Sequence, residues 1–161
     1  MEKLWIIADD FTGALDTGVQ FAARGASVRV LPWGDPPEDG ADAQVLVIDS
    51  ESRHLSPEAA RRAVFRLASL AKERGVSFLY KKTDSALRGN IGSELAAAME
   101  AMGGERLAFV PAYPRLGRTT RGGIHYVDGC PRRRACSGMT PSSPCAAPPW
   151  RRSWGRPPTY R

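Results

Sequence analysis

The amino-acid sequence predicts an α/β fold: a mostly parallel sheet of about five strands flanked by helices, followed by a disordered or irregular C-terminal tail. Three observations predict it. Apolar runs of strand length recur without polar alternation. Helix-patterned stretches separate them. Val, Ile, Leu and Phe then cease together after residue 129. Strands that are apolar on both sides of the pleat belong in a sheet covered on both faces, and the intervening helices are the crossovers that parallel strands require.

Taken in order, "LWIIA" (4–8) is a buried-strand run. "TGALDTGVQFAARG" (12–25) predicts a helix that places Leu15, Val19 and Phe21–Ala22 on its apolar face and ends at Gly25. "SVRVL" (27–31) alternates like a strand, "PWGDPPEDGAD" (32–42) is turn-rich, and "QVLVI" (44–48) is again a strand. The clearest helix covers 56–74, with Ser56 as cap, Pro57 in the first turn and Glu58 at the positive end of the dipole. Its apolar stripe is Ala60, Ala63, Val64, Leu67, Leu70 and Ala71, and Gly75 stops it. "VSFLY" (76–80) is a strand, "SELAAAMEAM" (93–102) a helix ended by Gly103–Gly104, and "RLAFV" (106–110) a fifth strand. Right-handed crossovers place the strand ends on one edge, where open α/β sheets bind their ligands. Asp9–Asp10, Asp49, Lys81–Asp84 and Pro111–Tyr113 should therefore meet there.

Charge separates a body from a tail. The chain has 161 residues and a formal net charge of +6, but all of the excess lies after Gly129. That stretch has seven arginines and no Asp, Glu or Lys, so residues 1–129 carry −1. A near-neutral body is not built to hold a phosphate backbone, and nucleic acid is the weakest partner reading. The three cysteines, Cys130, Cys136 and Cys145, also lie in the tail, without zinc spacing. No metal ligand set is expected. No signal peptide or membrane span is predicted, which fits a cytoplasmic protein with a small-molecule partner. Residues 130–161 contain seven prolines and cannot bury enough apolar surface to offset chain entropy. Their composition suggests a gene translated out of frame from about codon 130.

Three polar clusters follow strands. In "DDFTGALDTG" (9–18), Asp9, Asp10, Thr12 and Gly13 turn the chain into a helix. Paired carboxylates there can bind sugar hydroxyls or accept a hydroxyl proton, whereas capping alone would use one oxygen. In "YKKTDSALRGN" (80–90), Lys81, Lys82 and Arg88 supply cations, Asp84 an acceptor, Ser85 a hydroxyl and Gly89 a close backbone. A carboxylate-bearing polyol needs that mixture; a solvated ion-paired loop is the plain alternative. In "PAYPRLGRTTRGGIHYVDG" (111–129), Arg115, Arg118 and Arg121 alternate with Thr119, Thr120 and glycines. A backbone anion nest would fit, as would a flexible linker, and no phosphate-loop motif is present. His125 is read as a packed histidine more readily than a catalytic one. Asp49 and Arg53 could reach the same edge.

The stretches "IADDFTGALDTG", "IDSESRHLSPEAA", "YKKTDSALRGNIGSEL" and "FVPAYPRLGRTTRGGIHYVDG", in this order, resemble the amino-terminal half of the four-carbon acid sugar kinases, from about Leu4 to Gly129. The resemblance implies ATP-dependent phosphorylation of threonate, erythronate or 3-oxo-tetronate. It implies a sugar-acid-binding domain over 1–129 and a separate nucleotide-binding domain, with ATP and magnesium used by the full-length family and not held well by this chain. By motif position it implies substrate-binding roles for Asp9, Asp10, Thr12, Gly13, Lys82, Asp84, Ser85, Arg88, Gly89, Arg118 and Thr119. Asp10 and Asp84 are the two candidates for a catalytic base. Ala86 departs from the family's usual threonine, and from Cys130 the pattern is expected to stop. A lone binding domain should lack kinase activity and expose surface that invites self-association. A non-catalytic module for a small anion is the alternative.

Overall fold

The computed structural model describes residues 2–32, 36 and 42–132. Four strands form the main sheet: β1 (Leu4–Ala8), β2 (Val28–Leu31), β3 (Val45–Asp49) and β4 (Phe78–Lys82). All pair in parallel, in the order β2-β3-β1-β4. Helix α1 (Phe11–Ala22) covers one face; α2 (Pro57–Glu73) and α3 (Ile91–Met102) pack together on the other.

Strand β1 shows why the apolar runs are continuous. Trp5, Ile6, Ile7 and Ala8 are all fully buried. Trp5 and Ile7 join Leu46, Ile48, Val64, Leu67 and Ala98 on the α2–α3 side. Ile6 and Ala8 join Ala14, Val45 and Val47 on the α1 side. Truncating one of these large side chains would cost about 3–5 kcal/mol, lost transfer energy plus the cavity left behind.

The caps follow the local chemistry. Ser56 Oγ accepts from Ala59 N at 3.3 Å, and Pro57 opens α2. Asp10 caps α1 through Gly13 N at 2.9 Å. Gly103, at φ 70°, closes α3 in the left-handed conformation.

Four expectations need correction. The sheet has four strands among the described residues, not about five. Residues 106–110 form no strand; Leu107, Phe109 and Val110 stay 40%, 42% and 80% exposed. An apolar run identifies a strand-capable segment but does not supply a neighbour, and this one lies across the cleft from β4. Pro111–Tyr113 therefore do not leave a strand. Strand β4 begins two residues later than expected, so Lys81 and Lys82 are strand residues. Helix α1 does not dock through Leu15 and Val19, which are 46% and 58% exposed. It docks through Gly13, Ala14, Thr17 and Gly18. A Cβ on Gly18 would sit 3.1 Å from Val30 Cγ2, so small residues let the helix lie close on the sheet.

The stretch 111–129 is neither nest nor linker. Pro114–Leu116 form a 3₁₀ turn, followed by β5 (Arg118–Arg121), β6 (Ile124–Val127) and the short β7 (Cys130–Pro131). These make a separate antiparallel sheet. Gly122 and Gly123, at φ 54° and 75°, form the two-residue hairpin turn, for which two positive φ angles match the strand twist. Cys130–Arg132, expected in the irregular tail, belong to this ordered unit, with Arg132 N bonded to His125 O at 2.7 Å. The remainder of the expected tail, 133–161, lies outside the described residues.

Candidate functional site

Register builds the site. Ala8 of β1 stands level with Asp49 of β3 and Lys82 of β4. The next residues of all three strands therefore step off the sheet at one edge. Asp9–Asp10 leave β1, Ser50–Arg53 leave β3, and Thr83–Arg88 leave β4. A cleft of about 1090 Å³ opens there. Asp10, Thr12, Gly13, Arg53, Lys82, Asp84, Ser85, Arg88 and Arg118 line it, together with the segment 104–113.

Two arginine–aspartate forks organise the rim. Arg53 Nε and Nη2 donate to the two oxygens of Asp9 at 2.9 and 3.0 Å, and Nη1 donates to Asp10 Oδ2 at 2.5 Å. Asp10 Oδ1 is left to cap α1. Burial opposes the Arg53 charge, but hydrogen bonds and charge from Asp9 and Asp10 outweigh it and raise its pKa further. In the second fork, Arg88 Nε and Nη2 donate to Asp84 at 2.6 and 3.2 Å, and Arg88 N adds 3.1 Å. Burial pushes the Asp84 carboxyl up, yet the Arg88 bonds prevail and hold it below the usual carboxylate range. The charge of Asp10 is felt at Arg88 and that of Arg53 at Asp84, so the forks share one field.

The cations differ in freedom. Arg88 is 47% exposed at its side chain and its Nη1 has no partner among the described residues. Among the described residues Lys82 Nζ bonds only Thr83 O, at 2.9 Å. Lys81 is instead sealed beneath the rim, its Nζ 2.8 Å from Glu94 Oε2 with both side chains almost wholly buried. Burial pushes the Lys81 ammonium pKa down, and Glu94 opposes that only partly. Arg118 reaches the cleft from the hairpin, bonds Leu116 O, and lies 3.7 Å from Asp128; its buried Nε has no partner among the described residues.

Not every expected site residue reaches the cleft. Asp9 is 2% exposed and spends both oxygens on Arg53. Gly89 packs its backbone against Arg53, where an added Cβ would be 3.1 Å from Arg53 Cγ. Thr119 pairs with Tyr126 and does not line the cleft. His125 is buried, held by Thr120 Oγ1 and the Ser85 carbonyl. Two acids are more buried than the sequence suggested. Asp49 was expected at the edge, yet it is 1% exposed, with its carboxyl pKa raised chiefly by burial and Oδ2 without a partner among the described residues. Glu94 was passed over, although it sits at i with Ala97, Ala98 and Ala101 at i+3, i+4 and i+7. A carboxylate on the buried stripe of a helix signals a buried partner, here Lys81. Among the described residues no group of three or more His, Cys, Asp or Glu is arranged to hold a metal ion. No described helix is long and apolar enough to cross a membrane.

With this geometry in place, residues 4–147 match the sugar-binding N-terminal domain family. The chain belongs to that family. The match runs past Gly129, where the family pattern was expected to end. The chain is 41% identical over 144 residues to the D-threonate kinase of Salmonella typhimurium, covering 88% of this chain and 34% of that protein. It is 38% identical over 148 residues to the D-erythronate kinase of Heliobacterium modesticaldum, covering 89% and 34%. A crystal structure from Bordetella bronchiseptica, described as a domain of unknown function with bound citrate and as a domain-swapped dimer, superposes with a TM-score of 0.72 at 38% identity, over 80% of this chain and 33% of that one. The chain thus spans about a third of the length of the curated relatives it matches.

Proposed function

We propose that the cleft is the sugar-acid site of a four-carbon acid sugar kinase, and that this chain supplies the substrate-binding domain over 1–129. One observation carries the reading: the rim brings Arg88 and Lys82, each with unspent donors, beside Asp10 in one cleft of a sugar-binding family fold. A small hydroxylated carboxylate presents the complementary groups. Arg88 Nη1 and Lys82 Nζ take the carboxylate. Asp10, Thr12 and Ser85 address the hydroxyls, and Arg118 assists from the hairpin. The kinase names of the relatives support a phosphoryl acceptor. Which tetronate is accepted, threonate, erythronate or 3-oxo-tetronate, rests on those names alone.

Between the two candidate bases, accessibility favours Asp10, whose side chain is 28% exposed against 10% for Asp84. Asp84 serves better as the group that orients Arg88, because it takes three donors from that one residue and its basicity is held down. Phosphoryl transfer asks little of a base and depends mostly on positioning and charge. ATP and magnesium are assigned to the remaining length of the full-length relatives. The chain alone is therefore proposed to bind without turning over, in the cytoplasm.

Self-association accompanies this reading. Phe78 and Tyr80 on the edge strand β4 are 70% and 44% exposed. The domain-swapped dimer described for the Bordetella bronchiseptica relative supports self-association.

Calorimetric titration of the 161-residue chain with D-threonate, D-erythronate and the neutral polyol threitol tests the proposal. Heat with an acid and none with threitol is expected. Folded protein that takes up none of the four-carbon acids would refute it.

A further inference from the structure

We propose that His125 is a positioning residue that holds the rim loop 83–90 in the shape that aims Arg88. The consequence for affinity rests on the sugar-acid reading above; the loop's shape does not.

The loop cannot be expected to hold this shape alone. Leu87 has φ 57° and Gly89 φ 86°, two left-handed residues within three positions. A left-handed leucine costs roughly 1–2 kcal/mol, since its Cβ crowds the following carbonyl. Inside the loop, Leu87 N bonds Asp84 O at 2.9 Å, and the Asp84 carboxylate accepts from Arg88 N and the Arg88 guanidinium. The remaining restraint comes from outside. Asn90 Nδ2 donates to Ser52 O and Leu55 O at 3.1 and 2.8 Å, fixing the far end. The near end is held from the hairpin: His125 Nε2 lies 2.7 Å from Ser85 O, and Arg132 Nε donates to Ala86 O at 2.7 Å.

The ring chemistry is determined by its neighbours. A carbonyl oxygen can only accept, so Nε2 carries the proton. Nδ1 of the neutral ring then accepts from the Thr120 hydroxyl at 3.0 Å, across the β5–β6 pair. Both nitrogens are satisfied in a ring that is 6% exposed. The held carbonyl belongs to Ser85, which adjoins Asp84, the partner of Arg88. The hairpin also carries Arg118 into the cleft. His125 therefore ties the two cation-bearing walls together.

Hydrogen exchange on the full chain tests this without any ligand, in wild type, His125→Phe and His125→Gln. Phenylalanine fills the space without a donor; glutamine's amide reaches about as far as Nε2. Loss of one buried bond predicts about tenfold faster exchange of the 83–90 amides in His125→Phe, with α2 unchanged and protection restored in His125→Gln. D-threonate affinity should fall about tenfold in His125→Phe and recover in His125→Gln. Should His125→Phe not fold, Thr120→Val is the substitute: it frees Nδ1 and should give a smaller rise confined to the same loop. Unchanged loop protection, or a rise spread equally over α2, would overturn the proposal. A loop protected only when a donor occupies position 125, in a chain that binds no sugar acid, would uphold the positioning role and refute the substrate reading.

Discussion

The two arginine–aspartate forks use the same chemistry for different ends. Arg53 reaches carboxylates more than forty positions earlier and is 11% exposed at its side chain. Arg88 reaches an aspartate four positions earlier and is 47% exposed. The first joins the end of β1 to the connection leading into α2, and its charges are sealed by one another. The second is a local pair on a loop, with a donor to spare. A long-range buried pair is scaffold. A short-range pair whose cation is half in solvent keeps a donor for a ligand.

That contrast can be broken first at Arg53. Arg53→Met removes the one cation bonded to Asp9 among the described residues and the Nη1 bond to Asp10, leaving an unpaired buried carboxylate. The expected loss is about 3–5 kcal/mol, read as a large drop in denaturation midpoint by urea titration. Arg88→Ala should cost less. Arg88 is half in solvent, but Asp84 is 10% exposed at its side chain, so the carboxylate left behind should cost about 1–3 kcal/mol on the same titration. Affinity for D-threonate should fall about 10- to 100-fold, the loss of a charge-assisted contact.

A smaller effect sharpens the account of the edge between the forks. Asp49 is buried beside Asp9 and Asp10, and its carboxyl pKa is raised. The sign follows from linkage. Above both its unfolded and folded values the native state must hold a buried charge, so this acid costs stability at neutral pH. Below the unfolded value of about 3.9 both states are protonated and the cost is gone. Asp49→Asn should therefore raise the urea denaturation midpoint at pH 7, with the gain fading toward pH 4. Its Oδ1 would keep the bond from Glu51 N, now 2.9 Å.

The scaffold was more legible in the sequence than the site's inner workings. Four apolar runs and three helices appear near their expected positions because burial on both faces writes itself as unbroken apolar stretches. The fifth run failed because periodicity reports a segment's preference and not its neighbour. Leu15 and Val19 misled because the docking face of α1 is made of small residues, where close approach replaces apolar bulk. The two glycines of "RTTRGGIHYV" flanked by β-prone residues were a hairpin signal, obscured by the arginines around them. The rim residues were legible as polar clusters after strands. Which charges pair was not, because Arg53–Asp9 and Lys81–Glu94 are made by the fold across 44 and 13 positions.

The most direct measurement is a nuclear magnetic resonance titration of labelled full chain with D-threonate, following backbone amides and the arginine Nε–H signals. Saturable shifts should gather at Gly13, Lys82, Ser85 and Arg88, with the Arg88 Nε–H moving strongly and the Arg53 Nε–H, committed to Asp9, moving little. No saturable shift at the rim, or shifts centred on another face of the sheet, would contradict the assignment of this cleft.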